Sequence, residues 1–191
     1  MIERETVVEF IRRGTLDSEL AALLWMLALG GVPVHVVSDD RLAATALAAA
    51  VRALARDPDA VTDGPGAAIE DVLRQPVPLR PATGAVLVLD AEGRVTAAHL
   101  HRPPLRDAAG HVRPQGPAVL ATWDGSLGRW EHFAWGVTAE LADASGRRPG
   151  DFELEQQHRR EFLAGLVAAG TAAPAQLAAA LAGYEVTRTA Q

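Results

Sequence analysis

The sequence predicts an α/β fold (α+β if layer order is applied strictly), and three features of the chain lead to it. Hydrophobic residues make up 49% of the 191 positions and charged residues 22%, which is enough apolar material for a core and too much for a disordered chain. Apolar residues recur at helical spacing towards both ends, whereas the segment from Gly84 to Trp135 has β-strand patterning. We therefore expect a single domain over residues 1–191, with a sheet of hairpins between two helical regions.

Residues 1–56 are predicted to form a helix–strand–helix unit. Apolar spacing indicates one helix over Ile2–Arg13 and a second over Thr15–Leu29, which Thr15 can cap and two glycines end. The β-branched run over residues 32–37 indicates a buried strand. A serine or an aspartate of the Ser-Asp-Asp segment that follows can cap the Ala-rich helix, which extends to about Arg56.

The region 67–135 is predicted to carry the hairpin sheet. Before it, residues 57–66 contain two prolines and Gly64, which favours a loop and a hinge. A short helix over 67–74 leads into a Pro-rich connector, and a second Pro-rich loop over 102–117 separates two β-hairpins. The hairpin strands are predicted over Ala85–Leu89 and Arg94–His101, and over Ala118–Trp123 and Arg129–Trp135.

Residues 136–191 are predicted to form a helical C-terminal cap. Its helices are expected over 138–144, from Pro149 or Asp151 to Ala169, and from Pro174 to Tyr184. On the longest of these helices, Glu155 and Arg159 are spaced i,i+4 in the favourable order. We expect this pair to lie on a solvated face, where it would contribute only tenths of a kcal/mol.

Composition excludes several kinds of chemistry. Cysteine is absent and all 18 basic residues are arginine, so disulfides, thiolate nucleophiles, Schiff-base lysines and lysine-dependent phosphate loops are ruled out. A net charge of −6 argues against nucleic-acid binding and against acidic membranes. The longest apolar stretch, 20–37, is interrupted by glycines, a proline and a histidine, and no export signal is visible at the start. We expect a cytoplasmic protein without membrane insertion.

Short motifs across the chain carry a resemblance to a known family. The run from Gly14 to Trp25, followed by Gly31-Val32-Pro33-Val34, resembles the helix and strand that precede the phosphate loop in the type II/type IV secretion ATPase superfamily, especially its archaeal-type members. Segments of the second half are similar to that family's C-terminal region. These segments are 67–73, 93–96, 120–124, 149–152, 159–163 and 177–184.

The chain departs from that family where phosphate should bind. The resemblance implies a Gly-rich loop ending in Gly-Lys-Ser/Thr directly after the strand, but the positions hold Ser38, Asp39, Asp40 and Arg41. The glycines, the lysine and the magnesium-binding hydroxyl position are missing, and two carboxylates would repel phosphate. The family's catalytic glutamate motif and histidine box are also not found. The resemblance therefore implies a shortened relative with a degenerate P-loop-like unit and no Walker A motif.

Our leading interpretation is a non-catalytic secretion-ATPase-like domain that acts through protein contacts, as a homo-oligomer or beside a true ATPase. No cofactor is predicted for it. A first alternative is a metal-binding protein or hydrolase, because three imidazoles can hold zinc. Its ligands would be His99 and His101, which share one face of a strand, and His111 in the following loop. Partly exposed histidines in a hydrogen-bonded network are the commoner explanation of such a pattern.

A second alternative is a nucleotide- or nucleic-acid-binding module. Arg102, Arg106 and Arg113 concentrate positive charge in an acidic chain, and a guanidinium suits phosphate or carboxylate. Trp130 and Trp135 are candidate contacts for a stacked base or for a partner protein. The ordinary explanations are arginines on a solvated loop and an aromatic cluster that anchors the sheet to the C-terminal helices. We expect Trp123 and Trp130 to pack across the second hairpin.

Overall fold

A computed structural model describes residues 5–74 and 83–189, which form a mixed α/β fold around a six-stranded sheet. The helices are α1 (Val7–Arg12), α2 (Ser18–Leu29), α3 (Arg41–Arg52), α4 (Ile69–Arg74), α5 (Thr138–Ala144), α6 (Pro149–Ala168) and α7 (Pro174–Thr189). The strands are β1 (Val34–Val37), β2 (Val61–Gly64), β3 (Gly84–Leu89), β4 (Val95–His101), β5 (Leu105–Arg106), β6 (Val112–Arg113), β7 (Ala118–Asp124) and β8 (Arg129–His132). The predicted Pro-rich connector lies outside the described residues.

The sheet has the strand order β2-β1-β3-β4-β7-β8. Strand β1 pairs in parallel with both β2 and β3, and α3 forms the crossover between β1 and β2. The remaining neighbours pair antiparallel, so both predicted hairpins are confirmed, β3 with β4 and β7 with β8. The α/β class is therefore confirmed, with parallel and antiparallel parts joined in one sheet.

The loop prediction for residues 57–66 is wrong. A 3-10 turn over Pro58–Ala60 leads directly into β2, which is the edge strand of the sheet. The segment Val61-Thr62-Asp63-Gly64 is too short to show alternation, and its pairing with β1 depends on main-chain hydrogen bonds that carry no sequence signal. The predicted loop over 102–117 likewise contains a small separate hairpin of β5 and β6.

Asp17, not the predicted Thr15, caps the second helix. Asp17 Oδ1 accepts a hydrogen bond from Leu20 N at 2.9 Å, so α2 begins at Ser18. Thr15 lies before the cap, and its carbonyl accepts from Val95 N at 2.9 Å. This hydrogen bond ties the α1–α2 turn to the start of β4.

Most helices cover one face of the sheet, where the larger core lies. Every residue from Leu20 to Ala28 is buried, because α2 packs among the sheet, α3 and α6. The opposite face has a smaller apolar cluster in which α4 packs on β1 and β3. Its buried members are Val37, Ile69, Val72, Val86 and Val88.

The prediction of a solvated Glu155–Arg159 pair is wrong. Arg159 is 0% exposed and Glu155 is 7% exposed, and Arg159 Nη2 lies 2.7 Å from Glu155 Oε1. The guanidinium carbon also lies 4.0 Å from the centroid of the Trp25 ring, and Nη2 lies 2.8 Å from Glu185 on α7. Spacing within α6 did not reveal the burial, because α2 and α7 supply the covering side chains.

Among the described helices, none is at once long enough and apolar enough to cross a lipid bilayer.

Candidate ligand-binding cleft

The turn between β1 and α3 is closed by its own side chains. Ser38 is buried, and its Oγ accepts a hydrogen bond from Asp40 N at 3.0 Å. Asp40 is the N-cap of α3, and its Oδ1 accepts from Leu42 N at 2.9 Å and from Ala43 N at 3.3 Å. The free amides at a helix start are the groups that bind anions, and here a carboxylate already occupies two of them. Asp39 and Arg41 are exposed beside the turn.

The three histidines of the metal alternative are not brought together. His99 and His101 point to one face of β4, whereas His111 lies in the turn of the β5–β6 hairpin. There its Nδ1 lies 2.9 Å from Asp107 Oδ2. Over residues 5–74 and 83–189, no group of three His, Cys, Asp or Glu side chains converges in a way that could hold a metal ion.

A histidine that the sequence analysis did not single out lies in the same row as His99. His35 on β1 and His99 on β4 both pair with Val86 on β3, which lies between them. The strands β1 and β4 are therefore separated by two inter-strand spacings, or about 10 Å. His35 Nδ1 hydrogen bonds to Thr62 Oγ1 at 2.7 Å, while buried His35 Nε2 and His99 Nδ1 have no hydrogen-bond partner among the described residues. Burial lowers the pKa of both imidazoles, which favours the neutral form.

The three arginines of the nucleic-acid alternative do not form one patch. Arg102 donates from Nε and Nη2 to the Gly116 carbonyl at 3.0 and 2.7 Å, and its Nη1 lies 3.4 Å from Glu140. It therefore closes the base of the β5–β6 hairpin. Arg106 and Arg113 are exposed but occupy adjacent cross-strand pairs, so they lie on opposite faces of that hairpin.

The aromatic cluster divides into packed and exposed members. Trp123 and Trp130 are a cross-strand pair with ring centroids 5.6 Å apart, as predicted, and Trp130 packs against the main core. Trp135, in the 3-10 turn Ala134–Val137, is 77% exposed. The expectation that the whole cluster anchors the sheet is therefore wrong for Trp135, because the turn after β8 carries its ring away from the core.

Trp135 borders a cleft of about 280 Å³ between α6 and the end of β8, which we call the Trp135 cleft. One wall is a single face of α6, since positions 153, 156, 157 and 160 are spaced i, i+3, i+4 and i+7. The cleft is lined by Glu19, His132, Ala134, Trp135, Thr138, Glu153, Gln156, Gln157 and Arg160.

His132 is held between two carboxylates from the start of α2. Its Nε2 lies 2.8 Å from Asp17 Oδ2, and its Nδ1 lies 3.8 Å from Glu19 Oε1. Burial of the ring opposes protonation, but the hydrogen bond to Asp17 and the charges of Asp17 and Glu19 outweigh it and raise the pKa of His132. Asp17 therefore has two roles, because its other carboxylate oxygen, Oδ1, caps α2.

The cleft is suited to binding a charged group and not to nucleophilic catalysis. Glu19 also pairs with Arg160, whose Nη1 lies 3.3 Å from Glu19 Oε2. The only hydroxyl among the lining side chains, that of Thr138, donates to main-chain carbonyls of its own turn and not to His132. No lining group therefore stands in the nucleophile–base arrangement that covalent catalysis requires.

The centre of this cleft could not be predicted from the sequence. Asp17 and His132 are 115 positions apart, and nothing local to either residue indicates their contact. The α6 face has the one readable signal, because Glu153, Gln156 and Arg160 recur at helical spacing. That signal alone does not distinguish a cleft wall from an ordinary solvated helix face.

No protein-family model matches the chain, and no curated protein matches it significantly. Function is therefore inferred from the side chains themselves.

Proposed function

We propose that this chain is a non-catalytic relative of the secretion ATPases and that it acts through contacts with other protein chains. The observation that carries the non-catalytic part is the Asp40 cap. In a phosphate loop the amides at the start of the helix donate to the nucleotide, whereas the Asp40 carboxylate accepts from Leu42 N and Ala43 N.

Two further properties of the β1–α3 turn and one of the whole chain support the same conclusion. The connection is only the segment Ser38–Asp40, which is shorter than a Gly-rich loop that wraps a phosphate. Its charge comes from two carboxylates, which repel a polyphosphate. The chain also has no lysine to place against the phosphates. Binding of other proteins remains the simplest use for a retained fold that lacks this chemistry.

The exposed indole of Trp135 supports the protein-contact part. Trp25 is almost fully buried and Trp123 and Trp130 are half-buried, so Trp135 is the exposed one of the four tryptophans. Tryptophan is enriched at the energetic centres of protein interfaces, because one ring supplies a large rigid contact and an N–H donor. An interface over this ring would also cover the Trp135 cleft.

Two sets of measurements test the proposal. Magnesium-ATP is expected to leave the melting temperature unchanged and to be hydrolysed no faster than in buffer, and a clear thermal shift would refute the non-catalytic part. For the protein contact, sedimentation velocity and native-cell pull-downs compare the wild type with Trp135→Ala and with Leu127→Ala, an exposed apolar control in the β7–β8 turn. We expect the wild type to self-associate or to bind a secretion-ATPase-like partner, and we expect Trp135→Ala to lose this contact and Leu127→Ala to keep it. If the wild type shows neither self-association nor such a partner, the protein-contact part is refuted.

A further inference from the structure

We propose that the Trp135 cleft binds a guanidinium group, namely an arginine side chain presented by another protein chain. This deepens the proposed function by naming the chemistry of the partner, and it rests on that function only for the source of the arginine. Three properties of the cleft carry it: an excess of negative charge, an exposed indole face, and acceptors on α6 that have no partner among the described residues.

The charges that line the cleft do not balance. The carboxylates of Glu19 and Glu153 face the cleft and Asp17 lies behind His132, against one guanidinium at Arg160 and the imidazole of His132. The Glu19 carboxylate and Arg160 pair with each other, and His132 pairs with Asp17. Glu153 makes no ion pair or hydrogen bond with another described residue, so its negative charge is available to a ligand.

The α6 wall also offers an unused amide. Gln156 is half-buried in the cleft, yet its side chain makes no hydrogen bond with a described residue. Gln157, in contrast, donates to Glu161 at 3.0 Å. A carboxylate and an amide oxygen one helical turn apart match the several N–H donors of a planar guanidinium.

Trp135 supplies the aromatic face that completes such a site. Arginine stacks on exposed indole rings by cation–π attraction and by contact between two flat groups. The protein already uses this chemistry inside its core, where the Arg159 guanidinium lies 4.0 Å from the Trp25 ring centroid and pairs with Glu155. The Trp135 cleft presents the same combination of an indole and a glutamate, but its own arginine, Arg160, pairs with Glu19, and no guanidinium among the described residues stacks on the Trp135 ring.

The ligand chemistry can be tested with small probes. Isotope-labelled protein is titrated with Nα-acetyl-arginine amide while the indole N–H signals of the four tryptophans are followed by NMR. We expect a saturable shift of the Trp135 signal, weakened by added salt, and a smaller response to the matching acetyl-lysine amide, because an ammonium lacks the planar fork. No saturable shift, equal affinity for the lysine probe, or a shift with a neutral methyl glycoside instead would overturn the proposal.

Variants assign the binding to the named side chains. Calorimetry with an arginine-containing peptide should show about fivefold weaker binding for Trp135→Ala, which corresponds to about 1 kcal/mol of cation–π attraction. Glu153→Gln should weaken binding by a similar factor, whereas Glu161→Gln, with the same change of charge on the same helix, should not. Unchanged affinity in either cleft variant would overturn the assignment.

A final comparison identifies the source of the arginine. Free L-arginine adds an α-ammonium and a carboxylate that an arginine within a chain lacks. A site that holds only the guanidinium of a side chain gains nothing from these two opposite charges, so we expect free L-arginine to bind no more tightly than the blocked probe. Tighter binding of the free amino acid would overturn the protein source. These outcomes are independent of the magnesium-ATP measurement, so failure of the cleft proposal and failure of the non-catalytic proposal are distinguishable.

Discussion

Replacing Arg159 by methionine tests the largest difference between the solvated pair expected from sequence and the buried pair in the structure. The guanidinium is fully buried, contacts Glu155 from Nε at 2.9 Å and from Nη2 at 2.7 Å, and contacts Glu185 at 2.8 Å. It also lies over the Trp25 ring. Arg159→Met keeps the apolar stem but removes all of these charge contacts and leaves the Glu155 carboxylate in a buried site.

The expected loss of unfolding free energy is about 3 kcal/mol. Breaking a buried ion pair by removing one partner costs roughly 3–5 kcal/mol. The lower end applies because Arg147 still contacts Glu155, with its Nε 3.0 Å from Oε2. For a domain of this size each kcal/mol corresponds to roughly 2–4 °C, so the melting temperature should fall by about 6–12 °C. A solvated i,i+4 pair would instead contribute about 0.3–0.5 kcal/mol.

Urea unfolding followed by circular dichroism measures the effect, and the adjacent arginine is the matched control. Arg160 lies on the same helix, but its side chain is 43% exposed and its ion pair with Glu19 is a surface contact. Arg160→Met should therefore cost no more than about 1 kcal/mol. If Arg159→Met and Arg160→Met are equally mild, the burial argument is refuted. Should Arg159→Met fail to fold, Arg159→Lys, which keeps the charge and loses the planar contacts, must still be less stable than the control.

Three further expectations concern the cap and the histidines. Asp40→Ala should cost about 1 kcal/mol in urea unfolding because it removes the cap of α3, whereas Asp40→Ser should stay close to wild type; equal losses would contradict the cap. Asp17→Asn keeps a capping oxygen but removes the charge beside His132, so NMR titration should show a lower pKa for that imidazole. The raised pKa of His132 stabilises the fold below about pH 6.5, and this contribution disappears as the pH rises through the pKa of the folded state. The loss of unfolding free energy in Asp17→Asn should therefore be larger in acid than in alkali. The effect of His35 on stability has the opposite direction. Because the pKa of His35 is lowered in the folded protein, the unfolded chain takes up the proton first as the pH falls, and the free energy of unfolding decreases below about pH 6.5. His35→Gln should flatten that decrease when urea unfolding is measured over a series of pH values.

Much of the fold could be predicted because its signals are local. Both sheet hairpins and most of the helices follow from apolar spacing, turn residues and capping side chains, which act within a few positions of one another. The cross-strand contact of Trp123 and Trp130 follows from the short turn over residues 125–128 between their strands. Strand β2 was missed because its short segment forms a strand only when β1 is beside it.

The candidate sites could be predicted only in part, and the charge of the β1–α3 turn was the part that could. The charge of the Ser38–Asp40 turn depends on its own side chains, and two adjacent aspartates are visible in the sequence. The Trp135 cleft depends on the contact between Asp17 and His132, which are far apart in sequence, so no local pattern predicts the cleft. The arginines at 102, 106 and 113 illustrate the reverse, since their nearness in sequence implied a patch that the hairpin geometry separates.

By itself, the sequence determined the α/β class, the absence of thiol and lysine chemistry, and the two adjacent carboxylates after the first predicted strand. These properties depend on composition and on short-range spacing, which folding does not alter. Only the tertiary structure decided which charges are buried, as at Arg159, and which aromatic ring is exposed, as at Trp135. Burial is a property of what the rest of the chain places on a helix face or a turn, and it is burial that converts a weak surface pair into a strong internal one.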